Sequence, residues 1–518
     1  MGFFSELCFL AFVFCFPSFM LGANPGTPGA WIPARWDGGP VEIARRAQDK
    51  ALANPSIREA ITQWYDLATL KLLEGSPVNC LLVTFSAGAA PEIEQQQQKL
   101  VKEYARAARE RGLAVLGLVY PGADPSNAAA AAAASELDGL VPDGDFPAGY
   151  IEKLEKALSA AKSSSVVIPI LTNSASARMS KRPVVAVQGV SPSARNLADM
   201  GIRGAPSSEP WIESNIWRVR SLRLEPVWRP IWISQRPETG SAQDYVKCVA
   251  DAAVAGGRWI VALDDGLRAR WSRSDSGALA TWQRIVTFLK FAEEHPEWRN
   301  APPFGNLAII LDTALPDTDI IDEYLNLVTR RQVAFRLIVR SEFSAAALAG
   351  FRAVLATDLA SPTALERQVL RDFAEKGGVV VAGPSWGNPP KEESYAEIAV
   401  GKGRVVVYKD PDPESVARDM KDLLSHHELG VVPFNVPPVI VYASAGDGGK
   451  CALIQLLNYS NSPAIAITIR VSGNLKSARL FTPESVPSDL KVKSNEGKTD
   501  ILIPNLLSWG GLLLQQAQ

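Results

Sequence analysis

Apolar runs and amphipathic stretches alternate along the first 300 residues, and this pattern predicts strands and helices in turn. Eight short runs read as strands: 31–36, 80–85, 113–120, 137–141, 166–171, 184–187, 231–234 and 259–263. The last, Trp259-Ile-Val-Ala-Leu263, is apolar on both faces, which suits a parallel strand under helices. Between most of the runs lie stretches rich in Ala, Glu, Lys, Leu and Gln, as at 91–111 and 150–162, which read as helices. Eight strands with helical crossovers over roughly 250 residues match the extent of a (β/α)8 TIM-type barrel. A doubly wound open sheet is the competing arrangement. The alanine run at 128–134 reads as a surface helix.

Pro302-Pro303 reads as a linker into a second alternating unit. Strand runs at 307–312, 334–339, 353–356, 379–382 and 404–408, with helices at 319–331 and 363–376, predict a flavodoxin-like α/β domain. Gly401-Lys-Gly-Arg404 precedes a strand and not a helix, so it reads as a tight turn and not as a phosphate loop. From about residue 434 the helical signals stop. Short runs at 439–443, 451–459, 465–471, 477–481, 500–503 and 512–514, separated by Asn, Ser, Gly and Pro, predict a small β-sandwich. The predicted division is a signal segment over 1–23, the barrel and candidate catalytic domain over 24–301, the flavodoxin-like domain over 302–430 and the sandwich over 431–518.

A chain of 518 residues is too long for one core and fits about three domains. Its formal net charge of -2 points to neither nucleic acid nor an anionic surface as a partner. The apolar run from Leu7 to Leu21, followed by the small residues Gly22 and Ala23, reads as a cleaved export signal. It is short for a membrane span, and Glu6 stands where a positive charge is usual. The expected location is therefore secreted or periplasmic, with no membrane span left after cleavage. Cys80, Cys248 and Cys451 remain in the mature chain, an odd and scattered set that reads as buried apolar residues and not as a disulfide framework.

The stretch Gly256-Gly-Arg-Trp-Ile-Val-Ala-Leu-Asp-Asp265 sets two carboxylates where a strand ends, the position at which parallel α/β folds place their chemistry. Asp264 and Asp265 are accordingly site candidates. Capping of a helix that opens near Gly266 is the other reading of the pair.

The order of parts resembles secreted relatives of the β-galactosidases that carry a trimerisation domain, a flavodoxin-like unit of amidotransferase-like type. The marks are Leu307-Ala-Ile-Ile-Leu-Asp312, Phe351-Arg-Ala-Val-Leu355, the helix end Leu370-Arg-Asp-Phe-Ala-Glu-Lys-Gly-Gly378 and Leu457-Asn-Tyr459. The resemblance implies chemistry in the barrel, assembly through the middle domain with a homo-oligomer as one outcome, and a carbohydrate substrate without a cofactor. The family's Asn-Glu pair after strand four and Glu after strand seven are absent, since those strands run into Pro142-Asp-Gly-Asp145 and Ser234-Gln-Arg236. The resemblance therefore carries architecture and no catalytic residue.

Glycoside hydrolysis needs one acid to protonate the leaving oxygen and a second carboxylate to attack or to activate water. Strand ends offer Asp37, Asp143, Asp145, Glu209, Glu213, Asp264 and Asp265. The candidate catalytic set is Asp143, Asp145, Asp265 and Glu209, with Asp143 or Asp145 set opposite Asp265. A turn or capping role is the other reading of Asp145. Trp36, Asp37, Trp211, Asn215, Arg236 and Asp264 are candidate substrate-binding residues, because sugar rings stack on aromatic faces and their hydroxyls need planar donors and acceptors. Trp211 and Asn215 fall in what reads as a long loop over 204–226. The histidines, His295, His426 and His427, lie outside the expected rim, which disfavours a histidine-held metal and a serine triad. An all-oxygen calcium site at Asp143 and Asp145 stays open.

Overall fold

The computed structural model describes residues 26–195, 210–224, 229–315 and 319–517, except 358, 360, 388, 389 and 392. The apolar run at 7–21 and Glu209 lie outside these residues. Pro33–Trp36 (β1), Cys80–Ser86 (β2), Ala114–Val119 (β3), Gly139–Pro142 (β4) and Val166–Val167 (β5) pair in parallel in that order. Ile170–Leu171 (β6) and Val185–Gln188 (β7) belong to a second parallel sheet. Ser193–Arg195 (β8) and Trp211–Glu213 (β9) form a small antiparallel pair. Ile231–Ser234 (β10) and Arg258–Trp259 (β11) complete the second parallel sheet in the order β11-β10-β7-β6.

Pro169 separates the two parallel sheets, and its missing N–H prevents the ladder from continuing through it. On the other side the sheets meet. The amide of Arg35 donates to the Val261 carbonyl at 2.8 Å, and the amide of Val261 donates to Pro33 at 2.9 Å. β2 is buried along its whole length, as expected for a strand covered on both faces. The helix Pro91–Arg109 buries Val101, Tyr104, Ala105 and Ala108, one face of a 3.6-residue period. Its Glu92 and Glu94 sit in the first turn and Arg106 and Arg109 in the last, which suits the helix dipole.

Three expectations change here. The alanine-rich helix Pro125–Ala134 buries Ala128, Ala129 and Ala132 and is not wholly a surface helix. Small side chains allow close approach of the neighbouring helix Tyr150–Ala160, which packs against it. Within the expected loop, residues 211–213 form β9 and Ile216–Leu222 is a helix. The polar stretch before residue 401 contains a further strand, described next.

A six-stranded sheet follows: Leu307–Leu311 (β12), Phe335–Val339 (β13), Ala353–Leu355 (β14), Val379–Ala382 (β15), Tyr395–Val400 (β16) and Gly403–Tyr408 (β17), in the order β13-β12-β14-β15-β17-β16. All its pairings are parallel except the β16–β17 hairpin. β16 escapes a hydropathy reading because it lies at the sheet edge with Glu397 exposed. Its turn carries Gly401 at φ +59°, a left-handed conformation that favours glycine, so Gly401-Lys-Gly is a hairpin turn.

The remaining strands form two antiparallel sheets. Val431–Phe434 (β18), Val439–Ala445 (β19), Cys451–Asn458 (β20), Ala464–Ser472 (β21), Leu475–Thr482 (β22), Ser485–Leu490 (β23), Val492–Asn495 (β24), Lys498–Leu506 (β25) and Trp509–Gln516 (β26) sort into β18-β21-β25-β24 and β19-β20-β26-β22-β23. Leu457, Tyr459 and Trp509 join the same buried cluster as Val249 and Trp298, so this last region packs directly on the first. The chain is thus an α/β protein with parallel sheets and an antiparallel carboxyl-terminal part. Cys80, Cys248 and Cys451 are buried and free.

Candidate functional site

The carboxyl ends of β1, β3, β4, β10 and β11 carry a dense set of charges, hereafter the mouth. Arg35 is its centre. In β1 it lies two positions before Asp37, so both side chains share a face. Its Nη1 pairs with Asp143 at 2.8 Å, its Nε with Asp37 at 3.3 Å, and its Nη2 donates to the Tyr120 hydroxyl at 2.9 Å. Tyr120 in turn donates to Asp37 at 3.4 Å. Arg236 reaches the other Asp37 oxygen, the one paired with Arg35 Nε, at 3.3 Å, with its own side chain 47% exposed. The guanidinium of Arg45 stacks on Tyr120, 4.0 Å from the ring centroid.

Asp265 sits beside this group and is held by two cations. Arg46 pairs with it at 2.5 Å and Arg268 at 2.7 Å, and Arg268 also donates to the Asp37 carbonyl. Glu42, fully buried, accepts from Arg45 at 2.7 Å and from the Thr84 hydroxyl at 3.0 Å. The mouth therefore holds Arg35, Arg45, Arg46, Arg236 and Arg268 against Asp37, Glu42, Asp143 and Asp265.

Burial alone would raise the Asp37 carboxyl, but the guanidiniums of Arg35, Arg236 and Arg268 outweigh it and hold it down at about 2. Asp265 is likewise burdened by burial, and hydrogen bonds and charge from Arg46 and Arg268 hold it well below the usual carboxylate range. Both are ionised at neutral pH. Burial pushes the Tyr120 phenol up, and the nearby Asp37 charge adds to this, so it stays protonated and able to donate.

A pH dependence follows from Asp37. Its folded-state value lies below the unfolded one, about 3.9, so its contribution to stability is present above about pH 4 and lost as pH falls through about 2. The contribution is on the order of 2 kcal/mol. Urea midpoints between pH 5 and pH 2 should fall more steeply for the wild type than for Asp37→Asn; parallel curves would contradict the ion-paired assignment.

The expected site residues separate clearly. Asp37, Asp143 and Arg236 meet around Arg35, and Asp265 adjoins them through Arg268. Asp145 is exposed on the loop beyond β4 and has no part in this network. Asp264 is a correction as a substrate ligand: it caps the helix Asp265–Trp271, accepting from the Leu267 amide at 2.8 Å and from the Tyr245 hydroxyl at 2.5 Å. Trp36 is a second correction. It is 2% exposed and packs in a tryptophan cluster, 4.9 Å from Trp64 and 5.9 Å from Trp271, which turns its faces away from any sugar.

Trp211 and Asn215 also lie elsewhere. Trp211 stacks under the Arg330 guanidinium, 3.3 Å from the ring centroid, and packs with the core of the six-stranded sheet. Asn215 is fully buried, its amide nitrogen donating to Asp251 at 2.7 Å and to Gln235 at 2.8 Å. Among the described residues no group of three His, Cys, Asp or Glu side chains could hold a metal ion. At the open calcium position, Asp143 is turned to Arg35.

Sequence reasoning missed Arg35, Arg45, Arg46, Tyr120, Glu42 and Arg268. One signal was present: Arg35 is a charge inside an apolar strand run, at the spacing that puts it beside Asp37.

The α-L-fucosidase isoenzyme 2 from Paenibacillus thiaminolyticus aligns with a TM-score of 0.54 at 10% identity, over 86% of this chain and 96% of that one. The chain has a glycosidase-like fold. An exo-β-1,4-mannosidase from Opitutaceae bacterium strain TAV5 aligns at 0.46 and 11% identity, over 78% of this chain and 96% of that one. A β-galactosidase from Bacillus circulans sp. alkalophilus aligns at 0.35 and 10%, over 82% and 68%. No protein-family model matches the chain, and no curated protein matches it in sequence. No helix among the described residues is long and apolar enough to cross a membrane.

Proposed function

We propose that the protein acts on the glycosidic bonds of an oligo- or polysaccharide at the mouth. The observation that carries this reading is the meeting of Asp37 and Asp143 on one guanidinium, that of Arg35. Two carboxylates held by one guanidinium are near neighbours, and retaining and inverting glycoside chemistry both need two facing carboxylates, roughly 5 to 9.5 Å apart. Asp37, held ionised, is the carboxylate that attacks or stabilises positive charge at the anomeric carbon. Asp143, 19% exposed, is the acid that protonates the leaving oxygen. Arg236, the most open of the cations on Asp37, and the Tyr120 hydroxyl orient sugar hydroxyls. This pair replaces Asp143 or Asp145 opposite Asp265, because Asp265 pairs with Arg46 and Arg268 and shares no arginine with Asp143, whereas Asp37 and Asp143 share Arg35.

The same proposal takes the two parallel sheets as arcs of one (β/α)8 barrel over 24–301, interrupted at Pro169 and joined through Ala34 and Val261. A flavodoxin-like domain over 302–430 and a β-sandwich over 431–518 complete it. Export by the run at 7–21 to a secreted or periplasmic location also belongs to it.

One observation favours a second reading. Asp37, Asp143 and Asp265 each carry a guanidinium partner, and a general acid works best when its environment raises its pKa. A mouth neutralised in this way suits a carbohydrate-binding or assembly protein on a glycosidase-like fold. Incubation with a panel of aryl glycosides and polysaccharides separates the two. Turnover supports hydrolysis; saturable binding without turnover supports the second reading; neither turnover nor binding overturns both.

A further inference from the structure

A second cationic site lies away from the mouth. A cavity of about 500 Å³ opens where the helix Ile216–Leu222, β13 and β19 meet, so all three parts of the chain contribute to it. Arg220, Arg223, Arg336, Phe351 and Tyr442 line it. Arg223 donates to the Ala255 carbonyl at 2.6 Å, just before β11 begins, whereas the mouth lies where the strands end. The two sites therefore occupy opposite ends of the parallel strands.

The arginines here differ from those of the mouth. The Arg220 guanidinium stacks on Phe335, 3.6 Å from the centroid, and donates to the Phe335 carbonyl. That of Arg336 lies 3.8 Å from the Phe351 centroid, and its Nε donates to Gly305 at 2.9 Å. Aromatic faces and carbonyls fix both guanidiniums in place, yet no described carboxylate is among the groups that act on either. Burial holds Arg220 down at about 10 and lowers Arg336 as well. Glu342, the acidic residue in the described lining, is exposed. β13 is the edge strand of its sheet, and Leu337 and Val339 on it line the cavity. An edge strand leaves backbone N–H groups without a sheet partner, a further source of donors.

A partly desolvated cation without a counter-charge is unfavourable until an anion joins it, and a guanidinium fork matches an oxyanion in two-point geometry. We infer that this cavity binds a small molecule bearing an oxyanion, a phosphate, sulfate or carboxylate, through Arg220 and Arg336, with its apolar portion against Phe351 and Tyr442. Because three parts of the chain wall the cavity, the ligand also fastens them together. The inference stands apart from any activity at the mouth.

Isothermal titration of the full chain at matched ionic strength tests it, with inorganic phosphate, sulfate, glucose 6-phosphate, glucuronate and uncharged glucose as probes. Saturable binding is expected for at least one anion and not for glucose, and the ranking of the anions distinguishes phosphate, sulfate and carboxylate. Arg336→Met should weaken it about tenfold, the order expected for loss of a charged hydrogen bond. Arg336→Lys keeps the charge and the stem and should weaken it less, which leaves a variant to read if the methionine one does not fold. No saturable binding of any anion, or equal affinity in wild type and both variants, overturns the inference.

Discussion

Asp143→Asn is expected to lower glycosidic turnover by roughly 10²- to 10⁴-fold, the usual worth of a positioned general acid. The amide keeps the shape of the carboxyl but cannot deliver a proton. Arg35 retains Asp37 and Tyr120 after the substitution, and Asp143 is partly exposed, so the fold should survive. Two controls sharpen the result. Asp145→Asn should leave turnover within about twofold, because exposed substitutions of this kind are close to neutral. Asp265→Asn should show its main effect in stability, since it uncouples Arg46 and Arg268 from a side chain only 11% exposed. Measured kcat/KM values for the three variants on one turned-over aryl glycoside check the order; a loss at Asp145 as large as that at Asp143 would move the acid to the exposed loop.

The largest effect on stability is expected away from the mouth. Asp251→Ala should destabilise the protein by about 3–5 kcal/mol, the range for breaking a buried polar network. Asp251 is fully buried in the helix Ala242–Val254 and accepts from the Ser214 hydroxyl at 2.7 Å, the Asn215 amide at 2.9 Å and the Tyr459 hydroxyl at 2.6 Å. Burial pushes its carboxyl up, and these donors work against that push. Removing it leaves several buried donors unpaired at once, each a cost of about 1–3 kcal/mol before relaxation. Tyr459 directly follows β20, so the network also fastens the carboxyl-terminal sheets to the first region. Tyr459→Phe alone should cost about 1–2 kcal/mol, and the double variant less than the sum, because both members share one network. Urea midpoints for the two single variants and the double variant measure this coupling, and full additivity would contradict it.

Hydropathy made the elements legible and left the site half hidden. All eight runs expected as strands in the first 300 residues overlap extended or bridged segments, because a strand buried on both faces is apolar over its whole length. β16 was not legible, since an edge strand with Glu397 exposed has the composition of a loop. At the mouth, the acids at strand ends include Asp37, Asp143 and Asp265, which the structure brings into one charged network. Their partners come from 46 and 268 as well as from 35 and 236, positions brought together only by long-range strand pairing. The pair Asp264 and Asp265 shows the limit well. Adjacent side chains leave a helix start in different directions, and one caps the helix while the other faces Arg46 and Arg268. The tryptophans misled for the opposite reason. Aromatic residues near strand ends are also what fills the space between strands and covering helices, as Trp36 does beside Trp64 and Trp271.

The most direct measurement is a crystal structure of Asp143→Asn soaked with an oligosaccharide that the wild type cleaves or binds. A sugar ring seated over Asp37 and Tyr120, with a hydroxyl on Arg236 and the glycosidic oxygen within hydrogen-bond reach of residue 143, is the expected result. A sugar bound elsewhere, with the Arg35–Asp37 network untouched and closed to it, would contradict the assignment of the mouth.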